Sequence, residues 1–155
     1  LLSLFLYCTY NQYKMKKLRK LKKICHQYQP IIDMTINELL TSSREINKIK
    51  HIKGYIADVG SGTAYNDGSG RFTVPLWAFD RRYNDGKNYR GEDGFFTHYV
   101  AHELAHQLCY IHYGKNKVGH NSKYYRIYMA ICPKELWHFE LHYKPSAKKY
   151  FDLWS

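Results

Sequence analysis

Residues 101–122, AHELAHQLCYIHYGKNKVGHNS, place His102, Glu103 and His106 in the pattern H-E-x-x-H. On a helix, residues four apart share a face and stand about 6 Å apart along the axis, so the two rings can grip one ion. Glu103, next to His102, then points toward a metal-bound water. Zinc lowers the pKa of such a water to about 7, and a carboxylate within hydrogen-bond reach can take its proton. Five residues can match by chance, as a pair of core histidines. Here Phe95, Phe96, Tyr99, Val100, Leu104 and Leu108 make the whole segment read as a core-packed helix, which favours the metal.

The third ligand has several candidates. His112 follows His106 by six residues, the spacing of H-E-x-x-H-x-x-G-x-x-H enzymes, but Cys109 stands where that pattern needs a helix-breaking Gly. A carboxylate from further along would have to be Glu135 or Glu140, and neither lies in a stretch that reads as helix. His120 sits just past Gly114 and a polar turn, at the mouth of the next helix, from which a tight return brings it back to the metal. His120 is the preferred third ligand.

Working outward, the active segment predicts a helix from about Gly94 to Gly114, a suitable stop. A second, SKYYRIYMAI, follows Asn121 or Ser122 as N-cap and ends before Pro133. WHFELHY, residues 137–143, alternates Trp137, Phe139, Leu141 and Tyr143, the period of a half-buried strand, the alternative being an irregular arm packed by its aromatics. Upstream, β-prone runs at 55–59 and 71–79 flank the turn chemistry of NDGSG. Pro75 lacks a ladder donor, which predicts an edge strand. Residues 80–94 read as a polar, Gly-bearing loop. Thr35 and Glu38 form a capping box ahead of a helix to about Lys50. Residues 15–28 read as a basic amphipathic helix ended by Pro30, with Met15, Leu18, Leu21 and Ile24 at three-residue steps.

The 155 residues suit one domain with a real core. Aromatics make up 17% of the chain, with 16 Tyr, so much of the packing must be aromatic. Cys8, Cys25, Cys109 and Cys132 form no C-x-x-C pair, which excludes a zinc ribbon and argues against a disulfide scaffold; Cys109 and Cys132 read as core. A reducing, cytoplasmic setting is the expectation. Lys14, Lys16, Lys17, Arg19, Lys20, Lys22 and Lys23 give residues 1–30 a charge of +7 out of the net +11, and residues 31–155 only +4. This basic segment, against a nearly balanced body, suggests a polyanion such as DNA or RNA; the alternative is a solvated helix that touches nothing. LLSLFLYCTY lacks the preceding charge and the cleavage site of a signal peptide and is too short to span a bilayer, so no membrane partner is expected. Met15 is an alternative start, with residues 1–14 then a translated leader.

HELAH, twelve intervening residues and then GHNSKYYRIY resemble the SprT-like metalloproteases, in which H-E-x-x-H is followed by a third His that opens a helix. The strand at 71–79 and CPKELWHFELHYKP after the third His are similar to the short phage-type members. The resemblance covers about residues 50–145. It implies an α+β, zincin-like domain: a short antiparallel sheet packed on the H-E-x-x-H helix, with a following helix carrying the third His. It also implies one zinc per chain on His102, His106 and His120, with Glu103 as general base. Residues 1–30 would then be a basic segment and 31–155 the metallopeptidase domain, expected as a monomer. The family includes proteases that degrade DNA-associated proteins, which suits a basic arm. The chain departs from many members in lacking a four-Cys ribbon, and in Asn121, where the family often has Gly.

Other residues have plainer readings beside the functional one. His98, one turn before His102, reads as structural. Tyr124 and Tyr128 are candidate oxyanion stabilisers, with packing as the default. Asp80, Asp85, Glu92 and Asp93 are candidates to orient a ligand histidine, or simply a solvated loop. Three functions compete: a zinc endopeptidase acting on protein or peptide with substrate paired along the 71–79 strand, a zinc ribonuclease of the YbeY kind, and a nucleic-acid-binding module with structural zinc. The ribonuclease pattern H-G-x-x-H needs Gly where this chain has Glu103. In the nucleic-acid readings Lys16, Lys17, Arg19, Lys20, Lys22 and Lys23 carry the contact.

Overall fold

The computed structural model describes residues 2–42, 51–83, 92–114 and 119–155. Its elements are helices α1 (Leu2–Gln27) and α2 (Gln29–Thr41), then strands β1 (Lys53–Ala57), β2 (Thr63–Ala64) and β3 (Arg71–Pro75). After these come a single turn α3 (Leu76–Phe79) and the long α4 (Phe95–Tyr113). Helices α5 (Ser122–Ile131), α6 (Trp137–Tyr143) and α7 (Lys148–Trp154) complete a mixed α+β chain that is mostly helical.

The sheet has three strands in the order β1-β3-β2, with β1 parallel and β2 antiparallel to β3. It is therefore mixed rather than antiparallel, and β3 is its centre rather than its edge. Pro75 is tolerated because it is the last residue of the strand, where the chain turns into α3. Phe72 and Val74 alternate inward to meet Ile32, Ile36 and Leu39, the i, i+4, i+7 face of α2. α4 crosses the same core. Gln107, almost fully buried, donates through Nε2 to the carbonyls of Tyr65 and Arg71 and so ties the helix to the sheet.

Three other local expectations need correction. α1 extends upstream of residue 15 to Leu2, and after Tyr28 the chain re-enters a helix at once. Pro30 thus serves as a favourable first-turn residue of α2 as well as a stop for α1. Thr35 lies inside α2, its hydroxyl bonded to the Ile31 carbonyl at 2.8 Å, so it is not an N-cap. The helix reaches Thr41, and the remainder of the segment expected to run to Lys50 lies outside the described residues.

Residues 137–143 form helix α6, not a strand. Seven residues fit either period, and here the buried pair is Phe139 with Glu140, neighbours that a strand would have put on opposite faces. α5 is as expected: Asn121 caps it, its side-chain oxygen accepting from the backbone N–H groups of Lys123 and Tyr124. Its Tyr124, Tyr125 and Tyr128 are fully buried, so the aromatic core predicted from composition centres on this helix. No described helix is long and apolar enough to cross a membrane.

Candidate metal centre

α4 carries His102, Glu103 and His106, and Gly114, with φ of 86°, ends it in a backbone conformation that suits glycine. The chain then returns so that His120, just ahead of α5, meets the two α4 histidines. One ring nitrogen from each of His102, His106 and His120 lies within 4.8 Å of the other two, a group that could hold a metal ion. Nε2 of His120 is 3.1 Å from Nε2 of His102. His112 is exposed on the far end of α4 and takes no part. All three rings are partly buried. Burial holds His106 at about 3 and His120 at about 4, so both are neutral near pH 7 and keep a lone pair for a metal.

Glu140, from α6, fixes the first ring. Burial opposes its charge, but the adjacent His102 ring outweighs it and holds the carboxyl near 2. Its Oε2 lies 2.8 Å from His102 Nδ1, and its Oε1 accepts from the Tyr125 hydroxyl at 3.1 Å. A carboxylate on Nδ1 leaves Nε2 as the free donor and makes that ring more basic; the pKa of His102 is accordingly raised, against the effect of burial, by Glu140. The residues considered from sequence for this role do not fill it. Asp80 is committed to Arg82, at 2.7 Å, and to the Tyr28 hydroxyl. Glu92 and Asp93 are exposed, and Asp85 lies outside the described residues. The missed signal was the acid in WHFELHY, read there as the outward face of a strand. Nδ1 of His106 is buried with no hydrogen-bond partner among the described residues.

Glu103 is buried and lines, with all three histidines, a cleft of about 540 Å³. Burial raises its carboxyl to about 7, with His102 pulling the other way. The segment 60–64 also lines the cleft. A Cβ on Gly62 would stand 2.7 Å from Glu103 Oε1 and 2.8 Å from the Thr73 carbonyl, so only glycine lets the backbone approach Glu103 this closely. The Gly62 N–H donates to the Tyr99 hydroxyl at 2.8 Å, fixing that segment to α4.

Tyr124 and Tyr128 do not serve the cleft. Tyr124 packs on the His106 ring at 4.5 Å but its hydroxyl donates to the His102 carbonyl, and Tyr128 meets His98 Nδ1 and the Cys132 thiol. Their phenols are core hydrogen-bonders. Tyr110 and Tyr143 line the cleft instead, and the exposed Tyr143 ring stands edge-on to His102 at 6.0 Å. His98 is buried and held neutral at about 3, chiefly by burial. Cys109 and Cys132 are core residues, and all four cysteines are free. No protein-family model, curated protein or solved structure matches this chain.

Proposed function

We propose that this chain is a zinc-dependent endopeptidase of the SprT-like, zincin kind. The observation that carries the reading is the convergence of three imidazoles with a buried carboxylate that is not one of them, in one open cleft. Two zinc–nitrogen bonds of about 2.1 Å at a tetrahedral angle set their nitrogens about 3.4 Å apart. The 3.1 Å between His102 and His120 is close to that span. Three protein ligands leave a coordination position free, the arrangement of catalytic rather than structural zinc.

Bound there, zinc would act as a Lewis acid and bring the pKa of a coordinated water to about 7. Glu103 would take the proton of the attacking water and deliver it to the departing amine; near a divalent cation its carboxyl ionises more readily than burial alone allows. Glu140 would hold His102 in one tautomer. Tyr143, not Tyr124 or Tyr128, would offer a phenol to the developing oxyanion. An extended substrate would pair along the rim at Gly60–Ala64, because β2, not β3, is the sheet edge that faces the cleft.

The test is metal analysis combined with cleavage of an unfolded protein substrate. The expected outcome is one zinc per chain and peptide hydrolysis, with Glu103→Gln keeping zinc and losing at least about 100-fold in kcat. Loss of zinc in that variant would make Glu103 a ligand. Cleavage of RNA and not of peptide by the zinc-loaded chain would overturn the endopeptidase reading.

A further inference from the structure

The outer half of α1 projects into solvent. Leu2, Leu4, Phe5, Leu6, Tyr7, Tyr10 and Tyr13 are all at least 59% exposed. These residues lie on every side of the helix, whereas a surface helix of a water-soluble domain turns one apolar stripe inward. The residues are also ordered along the axis. Leu2, Leu4, Phe5 and Leu6 come first, broken only by Ser3; Tyr7, Tyr10 and Tyr13 follow, and then come the seven cations from Lys14 to Lys23. None of the ion pairs formed among the described residues uses those cations. Only beyond most of them do Leu21, Ile24 and Cys25 anchor α1 to the core.

Apolar tip, tyrosine girdle and cationic band, in that order, match the layers of a bilayer surface from acyl chains to interface to headgroups. At 1.5 Å per residue, Leu2 to Tyr10 measures about 12 Å, within the roughly 15 Å that one leaflet contributes to the hydrocarbon core. Near the tip, the Thr9 hydroxyl is satisfied internally by the Leu6 carbonyl at 2.9 Å. A nucleic acid would engage the lysines and leave the apolar tip in water.

We propose that α1 docks the protein on an anionic lipid bilayer, its exposed apolar residues from Leu2 to Tyr13 entering the headgroup–acyl boundary obliquely and Lys14–Lys23 facing acidic headgroups. Charge complementarity selects the occupant: seven cations and no acid precede Asp33. The docked helix leaves the cleft free, since none of the cleft-lining residues belongs to α1.

Cys8 supplies the probe. It is exposed in the tip, while Cys25, Cys109 and Cys132 are buried, so an environment-sensitive thiol dye on the full chain reports the tip selectively. The dye should shift to the blue, and the protein co-sediment, with phosphatidylcholine vesicles containing about 30 mol% phosphatidylglycerol, but not with pure phosphatidylcholine. The double change Leu4→Asp and Phe5→Asp, at exposed positions that leave the helix intact by circular dichroism, should weaken binding at least about tenfold. Changing Arg19, Lys20, Lys22 and Lys23 to Gln should do the same. Absence of the blue shift on anionic vesicles overturns the proposal, as does binding indifferent to Leu4 and Phe5. Binding of a duplex oligonucleotide without vesicle binding would assign the cationic band to nucleic acid instead.

Discussion

At the scale of single residues, the site depends on which groups are neutral. His120 and His106 are held well below the usual histidine range by burial, so each presents a lone pair rather than a proton. His120→Ala removes one of three donors and should weaken metal binding at least about 100-fold in a competition titration, while His112→Ala, at an exposed position, should change nothing. The reverse result would move the third ligand to His112. Glu103 adds a pH dependence in the metal-free protein. Its carboxyl, raised by burial from 4.5 to about 7, keeps a proton in the folded chain that the unfolded chain has already released. The unfolded state binds fewer protons between those values, so this group's contribution to stability falls as pH rises through that window. Glu103→Gln removes the effect. With His98, His106 and His120 common to both proteins, the metal-free variant should gain about 2–3 kcal/mol on wild type as pH rises through that window, measured by urea unfolding. A difference that stays constant with pH would show that Glu103 is not buried as described.

At the scale of elements, α4 was legible because nineteen residues are too many for the 3.6-residue period to be mistaken, and because Gly114 marks its end. The helix α5 was legible through its Asn121 cap. The short α6 was not. Its alternation of aromatic and polar residues imitates a strand, and the helix is selected by tertiary partners, His102 and Tyr125, that draw Glu140 into the core. That misreading hid the residue that orients the His102 ring. Glu140→Gln keeps the shape but loses the charge that steadies the His102 ring. Metal affinity should fall about 10- to 100-fold while the Tyr125 contact and the fold persist. An unchanged affinity would reduce Glu140 to a packing residue. β3 shows the same limit: Pro75 within the run 71–79 suggests an edge strand, whereas it is the residue that ends the strand, and the pairing with β1 on one side and β2 on the other makes the strand central.

At the scale of the whole molecule, α1 belongs to two environments. Leu21, Ile24 and Cys25 pack on the core, and Tyr28, just past the helix end, donates to the buried Asp80 at 2.7 Å. The apolar side chains of the outer half are exposed. The basic segment is therefore not a detachable unit ending at residue 30. Removing residues 1–13 should leave zinc content and the thermal midpoint essentially unchanged. Removing residues 1–29 should destabilise the protein by at least about 3 kcal/mol, because it strips several apolar side chains and a buried carboxylate's partner from the core. Calorimetry of the two truncations checks this, and equal midpoints would show that α1 contributes nothing to the fold.

The sequence alone determined the helix that bears His102, Glu103 and His106, the break at Gly114 and the cap at Asn121. These are local matters: periodicity, a glycine free to take positive φ, a side chain that accepts from two backbone N–H groups. It also determined the charge order of the first thirty residues. The sequence also preferred His120 to His112 for the site, and the structure bears this out. Tertiary structure alone decided that Glu140 and not a loop acid holds His102, and that Tyr124 and Tyr128 spend their hydroxyls inside the core. Each of those depends on which distant groups meet in a low-dielectric interior. There an unpartnered polar atom costs more than any local preference is worth, and the chain settles in the arrangement that pairs them.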